Sequence, residues 1–106
     1  MLIDLKATIL SYKEKPIQTT DTNDQGVPEE RDLIIKDVFV TALNTIADNE
    51  VLTVEIKNKI FQLSTKMYKE DTVDLTVDDA AFIKTRVGKI YNALVYGRIC
   101  EILDKS

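Results

Sequence analysis

A chain of 106 residues carrying a formal charge of −4 has the length of one domain, and its 44% hydrophobic and 30% charged residues are ordinary for a globular fold. It contains no histidine and a single cysteine, Cys100. That excludes an internal disulfide, a cysteine-rich zinc site and the commonest catalytic base.

The charge is uneven. Residues 1–56 hold 11 acids and 5 bases, whereas residues 57–106 hold 7 acids and 9 bases. An acidic first half argues against general affinity for nucleic acid, because phosphate contacts need clustered Lys and Arg. No apolar run approaches the ~18–20 residues that span a bilayer. The opening MLIDLKATIL has an early aspartate and lacks the basic start and cleavage site of a signal peptide. With one cysteine, the expected setting is a reducing cytoplasm, and Cys100 reads as a buried small hydrophobe.

Ile3–Tyr12 alternates weakly, which suits a strand; Lys13–Pro16 reads as a turn and Ile17–Thr20 as a returning strand. A β-hairpin over residues 1–20 is therefore expected. Thr19–Asp32, TTDTNDQGVPEERD, is polar and broken by Gly26 and Pro28, so residues 21–32 read as a loop. Leu33–Ile35 suits a short third strand. From Lys36 the spacing of Val38, Phe39, Ala42, Leu43 and Ile46 predicts a helix to about Asp48.

Thr53 opens the next helix. Ile56, Ile60, Leu63 and Met67 fall at i, i+4, i+7 and i+11, the cleanest apolar stripe in the chain, with Phe61 and Tyr68 broadening it. Lys57, Lys59, Lys66 and Lys69 read as its outer face. Lys69–Asp74 is a short connection. Thr76–Asp104 then reads as one long helix or two abutting ones. Thr76 with Asp79 three residues on is a capping pattern, and two aspartates suit the positive end of the helix dipole. Apolar residues from Ile83 to Leu103 cover a wide face, and Ile90–Gly97 is apolar on most sides. Gly88 marks either a kink or a crossing point. The expected architecture is mainly α within the α+β class: one domain, residues 1–106, with an N-terminal β-hairpin and a helical region, 33–106, of three or four helices packed around the C-terminal one.

Chemistry is sparse. No P-loop and no G-x-G-x-x-G occurs, since the three glycines are scattered. Asp21, Asn23, Gln25 and Gly26, with Asp32 twelfth, partly match an EF-hand calcium loop. Against that match, Gln25 is a neutral ligand, Asp32 is too short for bidentate reach, and Pro28 cannot donate the backbone bond that pairs such loops. A solvated acidic loop accounts for the stretch. Glu29/Glu30 and Asp78/Asp79 fit loops and helix starts rather than a general acid–base pair. Lys57, Lys59, Lys66 and Lys69 could meet RNA or an acidic partner, but they lack interleaved arginine and exposed aromatics, and a solvated face explains them. Arg98 lies in the most apolar stretch, where it either extends outward or pairs with Glu101 or Glu55.

Lys15-Pro16-Ile17, Lys36-Asp37-Val38-Phe39-Val40-Thr41-Ala42-Leu43 and Val73-Asp74-Leu75-Thr76-Val77-Asp78-Asp79, followed by Ile83-Lys84 and Val87-Gly88-Lys89, give the chain a pattern that resembles a group of small proteins from tailed phages and prophages. The resemblance covers most of the chain and rests on caps and core positions. It departs at Thr19–Asp32 and at Arg98-Ile99-Cys100. It implies a phage origin and a small non-enzymatic role in the host cytoplasm, and it supplies no site residue. The functional expectation is an accessory protein that binds another protein (itself, a host protein or a virion protein), with no cofactor and no membrane partner. Calcium binding and weak nucleic-acid association are the rivals.

Overall fold

A computed structural model describes residues 1–105. The chain is α+β and mainly α, with four helices and four short strands among the described residues. In order these are β1 (Leu2–Asp4), β2 (Gln18–Thr22), β3 (Pro28–Asp32), α1 (Ile35–Asn44), α2 (Val54–Lys69), β4 (Thr72–Asp74), α3 (Val77–Ile90) and α4 (Ala93–Lys105).

The strands form two separate antiparallel pairs. β1 pairs with β4, Ile3 opposite Val73. Both central residues point inward, at 2% and 4% exposure, while their neighbours face water. β2 pairs with β3, Gln18 opposite Asp32 and Thr22 opposite Pro28.

The hairpin expected over residues 1–20 therefore lies at 18–32, in the stretch read as a polar loop. Asn23-Asp24-Gln25-Gly26 closes it: the Gly26 N–H donates to Asn23 O at 2.9 Å and the Asn23 N–H to Val27 O at 3.0 Å. Gly26 has φ +78°, the left-handed conformation that glycine adopts without cost. A turn does form at Lys13–Pro16, with a single bridge between Leu10 and Pro16, and the expected returning strand falls largely on β2; but the first strand ends at Asp4, and β2 pairs with β3 rather than back across this turn. Instead the Ile17 N–H donates to Ile9 O, the Leu33 N–H to Ile17 O and the Ile9 N–H to Leu33 O, at 2.7–2.9 Å. Leu33 and Ile34 thus serve as a bridging segment, and Ile35 already belongs to α1.

The helix starts follow their caps. Thr53 Oγ1 accepts from the Ile56 N–H at 3.2 Å. Thr76 Oγ1 accepts from the Asp79 N–H at 3.0 Å, while Asp79 accepts from the Thr76 N–H at 3.3 Å, a reciprocal capping box. At the head of α1, Asp37 accepts from the Ile34 N–H at 3.2 Å.

The C-terminal stretch is two helices, broken at Tyr91-Asn92. Asn92 Oδ1 accepts from the Val95 N–H at 3.0 Å and starts α4. Gly88 is a crossing point, because a Cβ there would sit 3.1 Å from Cε1 of Tyr96. α4 does not form an enclosed central rod: Ala93 is exposed, Tyr96 is 40% exposed, and only Val95, Ile99 and Leu103 are fully buried on it. α1 is the better-covered helix. It buries Ile35, Val38, Phe39, Ala42 and Leu43 and packs against both α2 and α3, with α4 against α3. Ile3, Leu5, Ile9, Ile60, Met67, Ile83 and Val87 are among the residues that join it in the core.

Candidate functional site: the groove between α1 and α2

Helix α2 carries two stripes of the same spacing. Ile56, Ile60, Leu63 and Met67 face the core, as expected, with the last three buried and Ile56 packed against them. One residue later comes Lys57, Phe61, Ser64 and Tyr68, again at i, i+4, i+7 and i+11. A step of one residue is a rotation of about 100°, so the second stripe leaves the core and meets the flank of α1. Phe61 and Tyr68 were expected to broaden the buried stripe. They stand out from it at 71% and 69% exposure.

Together the two helices enclose a groove with two hollows that share Asn44, Phe61 and Ser64. The larger, about 580 Å³, runs from Val40 and Thr41 to Tyr68 and Lys69. The smaller, about 280 Å³, is walled by Leu43, Ile46, Leu52, Lys57 and Ile60. Ile46 is itself 60% exposed. A polar clasp crosses the floor: Asn44 Nδ2 donates to Ser64 Oγ at 3.0 Å and to Val40 O at 2.9 Å. The clasp ties the end of α1 to the middle of α2.

The opposite flank of α1 is sealed. Arg86 on α3 is 2% exposed. Its Nε donates to Ala42 O at 3.3 Å and its Nη2 to Thr45 O, which satisfies carbonyls at the end of α1 that have no helical partner. Its Nη1 donates to Glu50 Oε2 at 2.6 Å, and Lys89 Nζ reaches the same oxygen at 2.9 Å. The Ala47 N–H donates to the other Glu50 oxygen at 3.1 Å. Arg86 first, then Lys89 and the Ala47 amide, hold the Glu50 carboxyl down at about 2. This cluster ends α1 at Asn44, short of the expected Asp48. Arg86 is buried and shares the one Glu50 carboxylate with Lys89, so the cluster is a structural clamp.

The four lysines read as one outer face of α2 do not share a face. Lys59 lies 3.6 Å from Asp79 and 5.1 Å above the Phe82 ring. Lys66 lines the same side as Lys59, with Asp79 and Glu55. Lys57 and Lys69 border the α1–α2 groove instead. Arg98 pairs with Glu101 at 3.3 Å rather than with Glu55, and also donates to Leu10 O and Ser11 O at 2.9 and 2.7 Å. It fastens α4 to the N-terminal turn.

The EF-hand match does not survive as geometry. Asp21 is held by Arg31 Nε at 3.0 Å. Asn23 Oδ1 accepts from the Gln25 and Val27 amides at 2.9 and 3.0 Å, as a turn former. Gln25 offers its amide to that turn, and Asp32 pairs with Gln18 at the far end of the hairpin. Of the four proposed ligands, Asp21 and Asp32 lie near opposite ends of the hairpin, on β2 and β3, and Asn23 and Gln25 in the turn between them, each engaged within the hairpin. Among the described residues no group of three or more His, Cys, Asp or Glu could hold a metal ion. Arg31 also grips Asp37 at 3.1 Å, tying the hairpin to the head of α1. Asp37, then Asp21, raises the Arg31 pKa above its ordinary value.

Cys100 is free and half-buried rather than fully buried. No described helix is long and apolar enough to cross a membrane. The chain matches no known protein family, no curated protein and no solved structure.

Proposed function

We propose that the chain is a non-enzymatic accessory protein of phage type that acts by binding another protein through the groove between α1 and α2. The observation that carries this reading is the stripe of Phe61 and Tyr68, more than two-thirds exposed, beside an apolar hollow with Ile46 at its rim. Two large aromatics left in water on one helix face, next to a cleft with a fixed floor, are the composition of a contact surface. A chain without histidine and with scattered glycines has little from which to assemble a catalytic centre. The phage assignment rests on the caps and core positions quoted from the sequence. It places the partner among host or virion proteins, in a reducing cytoplasm that suits a free cysteine.

Photo-cross-linking tests the reading directly. A photoreactive residue at position 61, on the full chain in a bacterial extract, is expected to give a discrete adduct. Unlabelled wild-type chain should compete it away, and Phe61→Ser should not. The same probe at Thr20, on the hairpin, should give none. Equal adducts from both positions, or none from position 61, would overturn the groove as the binding face.

A further inference from the structure

The groove's charges say more about its occupant than its apolar walls do. In a chain with 18 acidic residues and a net charge of −4, no acidic side chain lines either hollow among the described residues. The charged lining consists of Lys57 at one end and Lys69 at the other. Neither has an ion pair among the described residues, whereas Lys59, on the next face of the same helix, has Asp79. Twelve residues of helix separate the two lysines, about 18 Å along the axis. Phe61 and Tyr68 stand between them.

We infer that the occupant is an amphipathic helix of a partner protein, acidic at both ends of its apolar face. The inference rests on the groove being the binding surface and specifies what that surface takes. A helix laid in a groove presents apolar residues at i, i+4 and i+7. Two of its turns would cover Phe61, Ser64 and Tyr68. Acids about eleven residues apart on that helix share a face and match the span from Lys57 to Lys69. A second copy of this chain fits worse. A two-fold axis through the middle of the stripe would set Lys57 of one copy beside Lys69 of the other, like charge against like. A nucleic-acid strand would stack on the aromatics but would find two cations on a chain of net negative charge.

A displayed library of amphipathic helical peptides, about sixteen residues long so as to overspan the two lysines, tests this with the flanking positions randomised among Glu, Gln and Lys. Selection on the wild-type chain is expected to enrich Glu at both flanks. The enriched peptides should lose binding to Phe61→Ser and should bind the double variant Lys57→Glu/Lys69→Glu about tenfold more weakly. Repeating the selection on that double variant should enrich Lys. Peptides that need Phe61 but carry Gln or Lys at the flanks would overturn the acidic occupant and leave the groove standing. Finding no Phe61-dependent peptide would remove the groove reading and this inference together. Light scattering that shows a dimer abolished by Phe61→Ser would make the occupant a second copy. Low-salt retention of a fluorescent oligothymidine, lost in the double lysine variant, would make it nucleic acid. Either result would overturn the inference. All variants are at exposed positions, and circular dichroism checks that each is folded.

Discussion

The two flanks of α1 are built on opposite plans. Toward α3 the helix end is closed by a buried guanidinium whose three nitrogens each donate to an acceptor, with the one Glu50 carboxylate shared between Arg86 and Lys89. Toward α2 the floor is fastened by one amide–hydroxyl bond and the walls are left apolar and open. The contrast separates stability from recognition. The polar flank is expensive to disturb, because a buried charge that loses a partner cannot turn to water. The apolar flank costs little to alter, because its aromatics already stand in solvent.

The sharpest way to break that contrast is Arg86→Ala. It leaves carbonyls at the end of α1 without donors and removes the main partner of Glu50, so a loss of about 3–5 kcal/mol is expected in urea unfolding. A loss below about 1 kcal/mol would mean the clamp does not hold α1 to α3.

Next comes Glu50→Gln, which tests the same flank through pH. The Glu50 pKa is lowered from 4.5 to about 2 in the fold, by Arg86 first. A depressed carboxyl stabilises the fold above its unfolded pKa, and that contribution fades as pH falls through the folded value. The variant should therefore be less stable than wild type at neutral pH, and the gap should close between about pH 4.5 and 2. A gap that stays constant over that window would mean the carboxylate charge does not stabilise the clamp.

A smaller effect is expected outside both flanks. Gly26→Ala forces a side chain into the left-handed turn of the hairpin and should cost about 1 kcal/mol, with Gly26→Asn milder. Equal melts for alanine and glycine would argue for a different turn.

The smallest effect on stability belongs to the apolar flank. Phe61→Ser/Tyr68→Ser should unfold within about 0.5 kcal/mol of wild type while failing, as an unlabelled competitor, to suppress the cross-link from position 61. A large destabilisation would show that the aromatics pack rather than recognise.

These two flanks also explain what could be read in advance. The caps at Thr53 and Thr76 were legible because a hydroxyl three residues before an amide is a purely local arrangement. The buried stripe of α2 was legible for the same reason. Phe61 and Tyr68 were misplaced because each follows a core residue directly, and a single step around the helix decides between interior and water. Arg86 carried a signal that went unused. It falls three residues after Ile83 and directly before Val87, a charge on the apolar face of α3, and such a charge must find partners inside. The hairpin at 18–32 was hidden because nearly all its side chains face solvent on both sides, so no alternation marks it. Its one clue was the Asn-Asp-Gln-Gly turn, whose oxygens also suit a cation loop. The pairing of β1 with β4 could not be read from either strand alone, because three residues carry no period and the partner lies about seventy positions away.

That distant pairing governs how the molecule can assemble. Residues 2–4 have no edge to join until residues 72–74 exist, and everything between must first collapse well enough to bring the two together. During synthesis, β1 stays unpaired while α1 and α2 emerge from the ribosome, and it can close only once residues 72–74 have been made. Its latching is thus a late event in folding, and shortening the chain from its far end past residue 72 would leave the opening strand with nothing to join.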